Sequence, residues 1–325
     1  MSLTVHLLRE PNAGVLAHLR TRLRPDVTLT VGPESAGAFH CDILVAGRPS
    51  REHITANSDL QKLIVPFAGL PQETRDVMLD FPDVAVHNLH HNAVAAAEMA
   101  ITLMLAASKL ILPSDRALRE DDWTPRYRPN TVIVLRGKTV LILGYGAVGQ
   151  RVAEGCRGLG MEVMATRRSP SVRPPENVYP PDAMEELLPQ ADVLIIALPL
   201  TTETEGLVGR EELSLLPPRS VLVNVGRGPI VDEAALYRAL RDGRLHAAGL
   251  DVWYNYPQDE ASRSSTPPAT YAFHELDNVV MSPHRAGAGG TQEIEMRRME
   301  SLAKLLNAAA AGEEIPNRVD VQAGY

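Results

Sequence analysis

Residues 139–160 read TVLILGYGAVGQRVAEGCRGLG. No other stretch limits the fold so tightly. The apolar run TVLILG at 139–144 is short and reads as a buried strand, and AVGQRVAEGCRGLG at 147–160 reads as a helix. Gly144, Gly146 and Gly149 between them spell G-x-G-x-x-G. Gly144 permits the tight turn, Gly146 lets the backbone approach a pyrophosphate, and Gly149 lets helix and strand pack closely. Phosphates would then sit on the helix N-terminus. The bland alternative is a glycine turn with a purely structural role. A strand turning this abruptly into a helix belongs to a βαβ unit, which implies a parallel sheet.

The rest of the chain repeats that alternation. TVHLL (4–8), DILVAG (42–47), KLIVPF (62–67) and VAVHN (84–88) read as strands, with helices over 14–23 and 73–81. A second series starts at 139. Its further strands are 162–166, 192–198, 220–225, 247–252 and 278–283, with helices over 183–190, 210–218 and 232–243 between them. The stretch 93–112, AVAAAEMAITLMLAASKLIL, carries Glu98 and Lys109 and reads as a buried helix of a soluble domain, not a membrane span. Residues 114–130 are polar, contain two prolines and read as an exposed connection. The amphipathic stretch 291–312 is placed to return to the first domain. No internal repeat of solenoid length is present.

Composition narrows the function. A chain of 325 residues is long enough for two domains. A net charge of −8 with no dense Lys/Arg block argues against nucleic acid as partner. Two cysteines, Cys41 and Cys156, suit a reducing compartment, and the N-terminus lacks the basic and apolar regions of a signal peptide. A cytoplasmic protein with no membrane contact is the expectation.

Three further motifs carry chemistry. After the strand at 162–166 comes MATRRSP, where an acid would bind the ribose hydroxyls of NAD. Arg167 and Arg168 stand there instead. Guanidinium forks suit a 2′-phosphate, which favours NADP(H) over NAD(H). The bland reading is two surface arginines. In LVNVGRGPIVDEAAL, Arg227 lies between two glycines at a strand end, where it can fork onto a carboxylate or pair with Asp232 or Glu233. In SPHRAG, His284 lies at another strand end, placed to donate a proton near neutral pH or to serve as a capping or core histidine.

The order of these pieces resembles the D-isomer-specific 2-hydroxyacid dehydrogenase family. NAVAAAEMAITLMLA (92–106), LILGYGAVGQRVA (141–153), ADVLIIALPLTTET (191–204), LVNVGRGPIVDEAAL (222–236), AAGLDVW (247–253) and SPHRAG (282–287) carry the resemblance. It implies an α/β protein of two doubly wound parallel-sheet domains. A flavodoxin-like substrate domain would take 1–92 and 291–325. A Rossmann coenzyme domain would take 93–290, with the cleft between the two. It also implies a homodimer, with 93–112 as the interdomain and dimer helix, which would account for that helix being apolar nearly all round. By position, Arg227 matches the arginine that binds the substrate carboxylate and carbonyl. His284 matches the acid/base, and Asp251 the residue that orients the nicotinamide carboxamide. Ala147 and Val148 lie in the phosphate turn; Pro199, Val225 and Gly226 match backbone cofactor contacts. Ala68 and Gly69 fall in the carboxylate-binding loop. The implied reaction is reduction of a small 2-keto acid, of the glyoxylate or hydroxypyruvate kind, to the D-2-hydroxy acid.

The chain also departs from that pattern. The family usually has a glutamate just before the proline of the D-V-x-x-x-E-P stretch, and here DVWYNYP has Tyr256. A carboxylate there raises the pKa of the catalytic histidine; a neutral tyrosine does not. The hydroxyl can still hold the imidazole, and Tyr256, Glu260 or another group could stand beside it. Formate dehydrogenases also lack that glutamate, and Asn92 sits where they place a substrate-binding asparagine, so proton-independent hydride oxidation is an alternative. A catalytically weak dinucleotide-sensing protein is another. Between Tyr256 and His284 the chain is longer than usual, and Asp259 and Glu260 in that insertion read first as solvated loop charges, with a substitute acid as the alternative. His87, His90 and His91 are no metal set, since no Cys, Asp or Glu completes one. His90 or His91 is placed to line the substrate pocket or to cap the following helix.

Overall fold

The computed structural model describes residues 2–32, 39–129, 132–168 and 176–324. The chain divides into two compact units, 1–92 with 288–325 and 93–287. The return to the first unit thus falls at 288, a little before the 291 read from the sequence.

In the first unit β1 (Leu3–Leu7), α1 (Ala13–Arg20), β2 (Val27–Val31), β3 (Ile43–Val45), α2 (Arg51–Thr55), β4 (Lys62–Val65), α3 (Gln72–Met78) and β5 (Ala85–Asn88) follow in order. The second unit holds α4 (Ala93–Lys109), α5 (Ile111–Arg119), α6 (Thr124–Tyr127), β6 (Thr139–Leu143), α7 (Ala147–Gly158), β7 (Glu162–Thr166) and β8 (Val178–Tyr179). It continues with α8 (Met184–Leu187), β9 (Val193–Ile196), α9 (Arg210–Leu215), β10 (Val221–Asn224), α10 (Glu233–Arg241), β11 (Ala247–Leu250) and β12 (Val279–Met281). The last helix, α11 (Gln292–Ala310), belongs to the first unit.

The first sheet is wholly parallel in the order β2-β1-β3-β4-β5, the flavodoxin-like arrangement. Its central strands are apolar along their length because helices cover both faces. On one face Val15 and Leu19 of α1 meet Leu302 and Leu306 of α11. On the other Leu44, Leu63 and Met78 form a second core. The Thr291 side chain accepts from Ile294 N at 3.3 Å and so starts α11.

The second sheet runs β12-β11-β10-β9-β6-β7-β8, also wholly parallel. The order reverses between β6 and β9, which opens a crevice at their C-terminal ends. One face packs Leu141, Leu194 and Leu222 under α8, α9 and α10; the other packs Val140, Ile142 and Val193 under α4 and α7.

Two expectations are corrected here. The helix expected over 93–112 ends at Lys109, where Leu110 turns left-handed (φ 49°), and α5 leaves at 63° to α4. The connection expected over 114–130 therefore carries α5 and α6. Pro113 explains both: it cannot continue α4 but fits the first turn of α5, where its missing N–H is not needed. The apolarity of α4 also has a local cause. Ala93, Ala96, Ala97, Ala100, Leu103, Met104 and Ala107 make one buried stripe at helical spacing. Gly155 and Gly249 admit the helix: a Cβ on them would lie 2.2 Å from Ile101 Cδ1 and 2.7 Å from Leu103 Cβ. Packing inside its own unit accounts for the stripe, with no second subunit required. Among the described residues no single helix is long and apolar enough to cross a membrane.

Candidate active site

The turn after β6 is built by absence of side chains. Gly144 has φ +99°, and a Cβ there would sit 2.7 Å from the Ala197 carbonyl oxygen at the end of β9. A Cβ on Gly149 would lie 1.9 Å from the Gly144 carbonyl oxygen. Above Gly146, by contrast, nothing lies within 4 Å. The protein's own packing demands the first and third glycines; only an approaching ligand gives a reason for the second. Ala147 and Val148 open α7, and their N–H groups have no partner one turn earlier. Open space in front of a 12-residue helix N-terminus fits a pyrophosphate.

Arg167 and Arg168 follow β7 directly and are exposed; no carboxylate ends that strand. Arg167 N donates to Tyr179 O at 2.9 Å, which ties the start of the arginine pair to β8. Residues 169–175 beyond lie outside the described residues. Pro199 is exposed after β9, its carbonyl accepting from Thr204 Oγ1 at 2.7 Å.

The turn after β10 presents Arg227. Val225 N donates to Ile196 O at 3.1 Å, keeping the backbone in register with β9 past the strand end. Asn224 then closes the loop on itself: its Oδ1 accepts from Gly226 N at 3.0 Å and its Nδ2 donates to Arg227 O at 2.9 Å. Both flanking glycines are forced. A Cβ on Gly226 would meet Leu198 O at 2.6 Å, and one on Gly228 would meet Trp253 O at 2.3 Å. The exposed guanidinium is steadied by one bond, Nη1 to Gly226 O at 2.8 Å, and no carboxylate pairs with it among the described residues. Asp232 instead caps α10 through Ala235 N, and Glu233 accepts from Thr270 N and Tyr271 N.

His284 lies on the turn after β12, exposed and in a left-handed backbone conformation (φ 55°). The ring of Tyr256 stands 5.5 Å away, tilted by 57°. Water lost on that side and the Arg227 charge both hold the His284 pKa below the ordinary histidine value, and Asp251 pulls it the other way. Arg227, Tyr256, Asp251 and His284 thus form one electrostatic cluster within the second unit.

Tyr256 does not hold the imidazole through its hydroxyl. That oxygen accepts from Trp253 N at 3.1 Å and closes the DVWY turn. Burial pushes the hydroxyl above the ordinary phenol value, so it is neutral. Nor does the insertion bring in a substitute acid. Asp259 accepts from Ser262 N at 2.8 Å, and Glu260 pairs with Arg263 at 2.9 Å in an exposed turn. Asp251, expected at a carboxamide, is 0% exposed. Its oxygens take Ser282 Oγ, Arg285 N (2.8 Å) and Ala286 N (2.8 Å).

In the first unit Ala68 and Gly69 sit exposed on the loop after β4. The loop is held from below by Asn88 Nδ2 to Ala68 O (2.9 Å) and Leu89 N to Phe67 O (3.0 Å). Asn92 is half-buried at the last position before α4. His87 Nδ1 bonds Pro316 O at 2.9 Å and anchors the C-terminal tail. His91 is buried, its Nε2 accepting from Arg298 Nε at 3.3 Å, and burial drives its pKa down to about 4. His90 stays exposed. No cluster of metal-binding side chains occurs among the described residues. The sequence reading missed Arg9, Arg48 and Arg298, which line a groove of about 490 Å³ at the C-terminal ends of β1, β3 and β4. Arg9 and Arg48 lie just past strand ends, and that position was the available signal.

Residues 101–286 match the family model for the NAD-binding domain of D-isomer specific 2-hydroxyacid dehydrogenases. The glyoxylate reductase of Aeropyrum pernix is 39% identical over 233 residues, which are 70% of this chain and 66%, just under two thirds, of that protein. Among solved structures, a glyoxylate reductase from Paecilomyes thermophila superposes with a TM-score of 0.72 at 26% identity, covering 99% of each chain. A D-isomer specific 2-hydroxyacid dehydrogenase from Xanthobacter autotrophicus, in complex with NADPH and MES, gives a TM-score of 0.77 at 24% identity over the full length of both. With its parallel seven-stranded sheet, its glycine turn and its match across more than half its length, the chain belongs to the D-isomer-specific 2-hydroxyacid dehydrogenase family.

Proposed function

We propose that the protein reduces a small 2-keto acid, of the glyoxylate or hydroxypyruvate kind, to the D-2-hydroxy acid with NADP(H). The observation that carries this reading is the cluster at the strand ends of the second sheet: an unpaired, exposed Arg227 whose charge reaches an exposed His284. Arg227 forks onto the substrate carboxylate through the guanidinium N–H groups its one backbone bond leaves over. Protonated His284 donates to the carbonyl oxygen, which becomes the hydroxyl of the product. The bound cofactor supplies the hydride. Gly146, Ala147 and Val148 would hold its pyrophosphate, and Arg167 and Arg168 would meet a 2′-phosphate.

The absence of an acid against His284 favours one other reading, proton-independent hydride abstraction from formate. A panel settles between them: NADPH and NADH oxidation with glyoxylate, hydroxypyruvate, pyruvate and bulkier keto acids, against NAD(P) reduction with formate. Keto-acid turnover with NADPH preferred supports the proposal. Turnover with formate alone overturns it, as does cofactor binding without any turnover, which marks a sensor. The proposal includes a homodimer. Ile111 and Leu118 of α5, Trp123 just before α6 and Tyr127 at its end are at least half exposed, a density of apolar side chains that a partner copy would cover. Sedimentation of wild type against a Trp123→Ser/Tyr127→Ser variant tests it, with a monomeric wild type as the contrary result.

A further inference from the structure

Asp251 follows β11 and is 0% exposed. A carboxylate removed from water requires donors, and the donors here all come from one short segment. Ser282 Oγ and Arg285 N donate to Oδ1, and Ala286 N donates to Oδ2. These three residues bracket His284. The same segment is stapled twice more, by Trp253 Nε1 to Ser282 O (2.8 Å) and Ser282 N to Leu250 O (2.8 Å). Inside the bracket His284 holds a left-handed φ of 55°, a region that non-glycine residues occupy only where the surroundings over-determine it. Asp251 and the stapled bonds are those surroundings.

We propose that Asp251 is the positioning residue for His284: its buried carboxylate holds the Ser282 hydroxyl on one side of the histidine and the Arg285 and Ala286 main-chain N–H groups on the other, and so sets the imidazole where Arg227 can present a keto acid to it. This assignment rests on the reductase reading for its chemistry but not for its geometry. An acid against the ring would orient the imidazole by its side chain; here the orientation comes from the main chain. The charged and titratable groups facing His284 are Arg227 from the β10 turn, Asp251 from the end of β11 and the neutral Tyr256. Of these only Asp251 favours the protonated imidazole.

The test is Asp251→Asn, which keeps the shape but turns one acceptor into a donor facing a backbone N–H. Amide hydrogen exchange at Arg285 and Ala286 should quicken by about tenfold or more. With the keto acid that wild type turns over best, kcat should fall about 100-fold, as a misplaced acid/base requires, while the NADPH Kd changes by less than about threefold. The alkaline limb of kcat/KM should move to lower pH. Ser282→Ala removes one donor and keeps the carboxylate, so exchange at the two amides should rise less; it also serves if the Asn variant does not fold. Unchanged exchange at Arg285 and Ala286 in both variants overturns the proposal. So does an Asn variant with wild-type kcat and weakened NADPH binding, which would return Asp251 to the carboxamide alone. A wild type inert toward every keto acid would sink the reductase reading, while the exchange data would still decide the positioning role.

Discussion

The second unit contains two turns that do comparable work by opposite means. The turn after β6 is made of glycine. Its shape follows from what is missing, since a methyl on Gly149 would overlap the Gly144 carbonyl at 1.9 Å. The turn after β12 contains no glycine between Ser282 and Ala286, and it holds a histidine where glycine would be easier. Its shape follows from what is added: a buried carboxylate and an indole N–H that take up its backbone groups. A steric turn is tolerant of its surroundings and intolerant of any side chain. A hydrogen-bonded turn tolerates side chains and fails when a distant partner is lost. The first can be read from three letters. The second depends on residues 31 and 34 positions apart, Ser282 and Arg285 with Asp251.

The largest effect that sharpens this contrast is on chemistry. His284→Asn should reduce keto-acid kcat by roughly 100- to 10,000-fold with the thermal midpoint unchanged, because asparagine accepts a left-handed backbone and supplies no transferable proton. Calorimetry and steady-state kinetics read both; a falling midpoint would mean the histidine ring itself holds the turn. Next is Gly149→Ala. Its methyl has only backbone to displace, so the second unit should lose about 3 kcal/mol, with the midpoint down by roughly 5–10 °C. Gly146→Ala is the companion: the space there is open, so the midpoint should hold while NADPH affinity falls about tenfold or more by titration. Equal midpoints for the two alanine variants would break the steric account.

A smaller effect concerns proton affinity. In the proposed reduction His284 must be protonated, so the rate is expected below the His284 pKa and lost as pH rises through it. Because burial and Arg227 hold that pKa below the ordinary value of 6.5, the alkaline limb of wild-type kcat/KM should lie below 6.5. Tyr256→Glu places a charge against the ring and should move the limb upward. A limb that does not move would mean Tyr256 lies too far from the imidazole to tune it. The smallest effect is expected at the insertion: Glu260→Gln removes an exposed ion pair and should leave kcat/KM within about twofold. A tenfold loss would restore Glu260 as a catalytic acid.

Much of the architecture was legible in the chain. Parallel strands covered by helices on both sides read as continuous apolar runs, as in Leu63–Val65 or Val193–Ile196, and the two sheets follow from them. The elements that escaped notice lack that signature. Strand β2 alternates between half-buried and exposed positions at a sheet edge, and β8 has only two residues. Helix α5 hid behind Pro113. The strand-end positions of Arg227 and His284 were legible because glycine and proline mark strand ends. What Tyr256, Asp259 and Glu260 do was not legible, because a hydroxyl or carboxylate goes to whichever donor is nearest in space.

The sequence by itself determined the family, the two parallel sheets, the glycine turn and the strand-end positions of Arg227 and His284. These rest on periodicity and on glycines, whose consequences are local to a few residues. Only the tertiary structure decided that Tyr256 closes its own turn, that the insertion's acids stay in theirs, and that Asp251 grips the main chain around His284. Those outcomes depend on which buried acceptor meets which donor across separate strand ends, and desolvation makes that pairing compulsory without recording it in the order of residues.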